Sequence, residues 1–141
     1  MDKIKENADK NWLGDSNDDV YKENILDHYK NPRNFGKLEK PTTSHREHNP
    51  LCGDQIEIFL EIRGDIITDV KFRGNGCAIS MASASMLTDK VKGMNVEDAV
   101  KLTKDDVFEI IGTKLGVVRM KCGLLGLKAL INSLNKVGGK K

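Results

Sequence analysis

Residues 55 to 72 read Gln55-Ile56-Glu57-Ile58-Phe59-Leu60-Glu61-Ile62-Arg63-Gly64-Asp65-Ile66-Ile67-Thr68-Asp69-Val70-Lys71-Phe72. Ile56, Ile58, Leu60 and Ile62 stand at every second position, the period of a strand that buries one face. Gly64-Asp65 supplies a turn, and Ile66, Thr68, Val70 and Phe72 continue the alternation. The stretch predicts an antiparallel hairpin with one covered face. The segment from about His45 to Leu51 is placed to add a third strand. On the other side, Arg73-Gly74-Asn75-Gly76 is expected to end the second strand and deliver Cys77.

Helical patterns flank the hairpin. Before it, Tyr21, Ile25, His28 and Tyr29 fall on one helical stripe, which Pro32 ends, and a loop runs from Asn31 to about Ser44. After it, the small-residue run from Cys77 to Leu87 predicts a closely packed helix that closes near Gly93. Asn95 is a cap for a short helix over Val96 to Leu102. Thr103 is a cap for another over Lys104 to Ile111, with Gly112 as its stop. Leu124, Leu127, Leu130, Ile131 and Leu134 then recur at helical spacing in a helix over Gly123 to Val137. The order predicts an α+β domain, a small three-stranded antiparallel sheet with helices packed on it. Its expected span is residues 19–137, between a flexible N-terminal tail over 1–18, in which Trp12 and Leu13 are candidates for docking, and a flexible C-terminal tail over 138–141.

The chain has 141 residues, a length that suggests one domain. Its 23 basic and 21 acidic residues leave a net charge of +2, so nothing announces a nucleic-acid partner. No apolar stretch approaches a membrane span, and the first residues lack the apolar core of a signal peptide. A cytoplasmic, membrane-free protein is expected.

The three cysteines, Cys52, Cys77 and Cys122, are too few and too far apart for a disulfide framework. No Cys-x-x-Cys pair is present, so a zinc ribbon or a thioredoxin-like motif is excluded. Each lies at an expected element boundary beside a glycine (Gly53, Gly76, Gly123): Cys52 in the turn before a strand, Cys77 at a helix start, Cys122 between an extended segment and a helix. Helix N-termini favour thiolate, the metal-binding and nucleophilic form. With Asp54 the cysteines make a set of three sulfurs and one oxygen, suited to zinc or to an iron–sulfur centre with one weak ligand.

Other residues carry plainer readings. His45 and His48 are expected as solvated loop histidines, and His28 as a half-buried packing residue. Met81, Met86 and the leucines of the last helix belong to the core. Asp105-Asp106 is first-turn helix charge. Lys121 is either a surface lysine or a cation that moderates the charge at Cys122.

The words around the cysteines go further than their spacing. Ile25-Leu26-Asp27-His28-Tyr29-Lys30-Asn31-Pro32-Arg33-Asn34, together with Asn49-Pro50-Leu51-Cys52-Gly53-Asp54, resembles the IscU / NifU N-terminal / SufU family of iron–sulfur cluster assembly proteins. Gly76-Cys77-Ala78-Ile79-Ser80-Met81-Ala82-Ser83-Ala84-Ser85 resembles the second cysteine motif, in its SufU form, and Arg119-Met120-Lys121-Cys122 the third. The resemblance covers about residues 20 to 137. It implies a metal site from Cys52, Asp54, Cys77 and Cys122, a cysteine desulfurase as sulfur donor, and client apo-proteins as recipients. Two positions depart from IscU members. Lys121 replaces a histidine before the third cysteine, and Leu115-Gly116-Val117-Val118-Arg119 replaces the Leu-Pro-Pro-Val-Lys segment read by a dedicated Hsp70 chaperone, which puts that partner in doubt. Both lean toward SufU members, yet the segment between Cys77 and Cys122 has no room for the long SufU insertion.

The expected function is therefore a scaffold on which a transient [2Fe–2S] cluster is built and handed on. Asp54 is the weak ligand that eases release, since a carboxylate oxygen is a harder partner for cluster iron than a thiolate. The alternative is a SufU-like zinc-dependent sulfurtransferase using the same ligands for Zn²⁺ rather than for Fe²⁺ or a cluster. In either case Cys122 is the expected persulfide acceptor, with Lys121 and Arg119 beside it as supporting cations.

Overall fold

The computed structural model describes residues 23–50, 53–112 and 117–138. In chain order these form α1 (Glu23–Lys30), β1 (Thr43–His48), β2 (Gln55–Arg63), β3 (Ile66–Asn75), α2 (Ala78–Val91), α3 (Val96–Val100), α4 (Lys104–Ile111), α5 (Val117–Gly123) and α6 (Leu125–Gly138). The expected N-terminal tail, Trp12, Leu13, Tyr21, Cys52, Leu115-Gly116 and the last three residues lie outside the described residues. Among the described residues no helix is long and apolar enough to cross a membrane.

The strands form one antiparallel sheet in the order β1-β2-β3, which is the expected α+β architecture. Ile56, Ile58 and Leu60 of β2 are buried on the face that meets the helices, with Val70 and Phe72 of β3. Fully burying side chains of this size stabilises by about 1.5–3 kcal/mol each, so this face anchors the core. The loop after α1 closes the outer edge of β3: Phe72 N–H donates to the Asn34 carbonyl at 2.9 Å, and Gly36 N–H to the Phe72 carbonyl at 2.8 Å. A sheet edge satisfied this way does not template further pairing.

The alternation of β3 breaks where simple period-two reading expects it to persist. Glu61 pairs with Asp69 but Ile62 pairs with Ile67, so Thr68 is an extra residue, a β-bulge. Ile67 is therefore buried, while Ile66 and Thr68 face outward. The strand also runs on through Arg73-Gly74 to Asn75 instead of breaking there. Gly74 permits this, because a Cβ at that position would lie 2.2 Å from the Gln55 carbonyl oxygen.

Helix α2 is the hub, packed against α1, β2, β3, α4, α5 and α6. Its small side chains are what allow neighbours on so many sides. A Cβ at Gly126 of α6 would lie 3.3 Å from the Cα of Ala84, so the two helices meet almost backbone to backbone. The buried hydroxyls of α2 have partners, as burial demands: Ser83 and Thr88 donate to the carbonyls of Ser80 and Ser85, and Ser85 Oγ accepts from Arg33 N–H at 2.8 Å.

The capping signals read as expected. Asn95 accepts from Glu97 N–H ahead of α3, which is shorter than predicted. Thr103 and Asp106 form a capping box on α4, and Gly112 ends it in the left-handed region at φ 92°. Leu127, Leu130 and Leu134 of α6 are buried, with Leu124 and Ile131 partly so, and Met86 is buried with Met81 at the core's margin.

Three local expectations are corrected. Tyr29 is 45% exposed, so α1 buries Ile25 but not that ring. His45 belongs to strand β1, not to a loop, and its Nε2 meets Glu47 Oε2 at 2.8 Å. Cys122 does not follow an extended segment: residues 117–123 are helical, and it sits in the last turn of α5.

Candidate metal centre

Three of the four expected ligands can be located. Asp54 immediately precedes β2, Cys77 is the N-cap of α2, and Cys122 comes from α5. A carboxylate oxygen and the two sulfurs all lie within 4.8 Å of one another. Neither cysteine is in a disulfide. Asp54 is 7% and Cys122 8% exposed, whereas Cys77 is exposed and opens the cluster to solvent. Residues far apart in sequence thus meet at one end of α2.

The chain before Asp54 is bent back on itself. Gly53 N–H donates to the Asn49 carbonyl at 2.7 Å, and Asn49 N–H to the Asp54 carbonyl at 2.8 Å. Gly53 has φ 80°, a left-handed conformation that favours glycine. Cys52 lies between these residues in sequence but outside the described residues.

The Asp54 carboxylate is tied to α2. Its Oδ2 accepts from Ser80 Oγ at 2.6 Å and from Cys77 N–H at 3.4 Å. It therefore lies at the start of a 14-residue helix, where the macrodipole presents its positive end. Ser80 Oγ is also 3.5 Å from Cys77 Sγ. Gly76 makes room: a Cβ there would approach Asp54 Cγ to 2.8 Å.

This donor set suits a transition-metal ion. Tetrahedral zinc with thiolates at about 2.3 Å places its sulfurs roughly 3.8 Å apart, and the three donors here are gathered within 4.8 Å of one another. Iron bound by thiolates draws on the same donors. The expectation that Cys122 gains thiolate character from a helix start loses its basis, because the residue ends α5 rather than beginning a helix.

The remaining candidates lie elsewhere. His28 Nδ1 bonds Ser85 Oγ at 2.7 Å, and burial pushes its pKa down, helped by the charge of Arg33. Glu47 is pushed up by burial, but hydrogen bonds from His45 and Asn132 more than offset this, and its pKa is lowered overall. Asp106 is engaged in the capping box. Lys121 is exposed and lines a cleft of about 360 Å³ with His48, Asn49, Leu125 and Lys128. Arg119 is half-buried in α5. Sequence reading missed Ser80, which it treated as one small residue among many. The only signal was its position, one helical turn after Cys77.

The NifU-like N terminal domain family matches residues 20–141. A "Zinc-dependent sulfurtransferase SufU" from Bacillus subtilis is 38% identical over 139 residues, covering 86% of this chain and 94% of the relative. An "Iron-sulfur cluster assembly scaffold protein IscU 1" from Archaeoglobus fulgidus is 39% identical over 111 residues, covering 79% of this chain and 72% of the relative. The crystal structure of a NifU-like protein (N-terminal) from Brucella abortus aligns with TM-score 0.76 over 89% of this chain and 99% of that one, and at 21% identity it bears on the fold.

Proposed function

This chain belongs to the NifU-like N terminal domain family, and from that premise we propose that it is a scaffold on which an iron–sulfur cluster is assembled and then passed to apo-proteins. One observation carries the reading: two sulfurs and a carboxylate converge within 4.8 Å, with Cys77 open to solvent. A cargo site must hold its contents yet remain reachable by donor and recipient, and a rim of this kind meets both needs.

The cluster, a [2Fe–2S] centre, is here cargo. Cys77, Cys122 and Cys52 supply soft ligands, and Asp54 the one hard and weaker ligand. Sulfur arrives when a thiolate of this chain attacks the outer sulfur of a persulfide on a cysteine desulfurase, whose own cysteine leaves as thiolate. The cleft lined by Lys121, Lys128 and His48 adjoins the Asn49 turn and suits acidic side chains of such a partner.

A second reading, zinc-dependent sulfurtransferase, is favoured by the gathering of two sulfurs and a carboxylate in one group and by the SufU relative. The ligands would be the same residues, and zinc would supply Lewis-acid stabilisation of thiolates. Anaerobic incubation with iron, cysteine and a desulfurase separates the two. Visible absorption of a [2Fe–2S] centre is expected. A colourless product, where an established scaffold colours, would overturn the scaffold reading in favour of zinc.

A further inference from the structure

Ser80 has a role that packing alone does not account for. It is the third residue of α2 and is fully buried. Serines within helices commonly bond back to a carbonyl of the preceding turn. Ser83, Thr88 and Ser133 in this protein do so. Ser80 instead points its hydroxyl away from its helix to Asp54 Oδ2 at 2.6 Å, a short charge-assisted bond. A hydroxyl has one proton, and that bond uses it. The contact with Cys77 Sγ at 3.5 Å is then one in which Ser80 oxygen accepts.

We propose that Ser80 is a positioning residue of the metal centre: its buried hydroxyl orients the Asp54 carboxylate against Cys77 and so sets how tightly the site holds a metal ion. The inference rests on the reading of Asp54, Cys77 and Cys122 as metal ligands. The physical case is one of rotational freedom. Gly76 has no side chain to displace the Asp54 carboxyl, which a Cβ there would approach to 2.8 Å, and the bonds from Ser80 and Cys77 N–H hold Oδ2 on the α2 side. Without Ser80, only the longer bond from Cys77 N–H remains of this pair. A ligating carboxylate that loses its hydrogen-bonded support typically costs a site 10- to 100-fold in metal affinity.

The test is Co²⁺ titration of the metal-free protein, read by thiolate-to-metal absorption and by competition with a chelator, neither of which needs activity. Ser80→Ala is expected to bind Co²⁺ about 10- to 100-fold more weakly than wild type, and Ser80→Thr, which keeps the hydroxyl, to stay near wild type. In an Asp54→Ala background Ser80→Ala should cause no further loss, because the group it positions is gone. Wild-type affinity in Ser80→Ala, or an equal loss in both backgrounds, would overturn the proposal and leave Ser80 as packing. Alanine raises helix propensity over serine, so α2 itself is not weakened by the change. A wild-type protein that binds no Co²⁺ at all would overturn the metal reading, and this inference with it.

Discussion

Gln55 pairs with Asn75 across the β2–β3 hairpin, and this register is what brings Asp54 to Cys77. The flanking residues extend the ladder by one step, so Asp54 stands opposite Gly76, where a side chain would collide with it. The bulge at Thr68 sets that alignment. Were the pairing of Ile62 with Ile67 carried on without a bulge, Gln55 would face Gly74, and Asp54 would sit one residue away from Gly76. A single extra residue near the hairpin's turn thus decides the geometry at its open end.

Glycine substitutions at the two neighbouring positions should have separable effects. Gly74→Ala places a Cβ against the Gln55 backbone carbonyl, which cannot yield without disturbing the sheet. Overpacking of this kind costs typically about 1–3 kcal/mol, so the melting temperature should drop by several degrees. Gly76→Ala presses on the Asp54 side chain instead. It should melt close to wild type while losing roughly tenfold or more in zinc affinity, as seen when the support of a ligand is disturbed. Calorimetry and a competitive zinc titration on both variants check this, and equal effects on stability would refute the distinction.

The role of Asp54 in release is tested by Asp54→Ala. Cys52, Cys77 and Cys122 remain, so a cluster should still assemble, with water in place of the hard ligand. Transfer to an apo-ferredoxin at equal cluster loading should be slower than for wild type, because the carboxylate can leave iron or take the proton of an incoming thiol. Equal or faster transfer would reduce Asp54 to an ordinary ligand or turn residue.

Thiol reactivity should follow burial. In the metal-free protein, alkylation is expected at Cys77 well before Cys122, since Cys77 is exposed and Cys122 is not. Trapping and peptide mapping after desulfurase treatment should, of these two, find persulfide on Cys77. Sulfur on Cys122 would show that the partner opens the buried side of the site.

His28 should make stability depend on pH. Its folded pKa lies below 6.5, chiefly because burial disfavours the cation. Ser85 Oγ accepts from Arg33 N–H, and its own proton is available to His28 Nδ1, an arrangement that suits the neutral ring. The unfolded chain therefore takes up this proton first as pH falls. The contribution is fully present above about pH 6.5 and is lost as pH drops through the lower, folded value. Melting temperatures measured from pH 7.5 to 5 should fall more steeply for wild type than for His28→Gln. Parallel curves would mean that His28 does not titrate differently in the folded state.

Much of this protein is readable without coordinates because its signals are local. The period-two run of Ile56, Ile58 and Leu60 specifies a strand and its buried face. Asn95, Thr103 with Asp106, and Gly112 specify helix ends through hydrogen bonds that span only a few residues. Asp54, Cys77 and Cys122 are recognisable as metal-binding chemistry by residue type and by the short motifs that carry them. The tertiary structure decided what depends on pairing across the chain. The bulge at Thr68 leaves no local mark, since either Ile66 or Ile67 satisfies a buried position, and only the register against β2 selects Ile67. Cys122 was placed by the helical turn of residues 117–123, whose valines and glycine favour no single state on their own. Ser80 became part of the site only because the hairpin carries Asp54 to the first turn of α2, and a hydroxyl's partner is set by what the fold brings within about 3 Å of it.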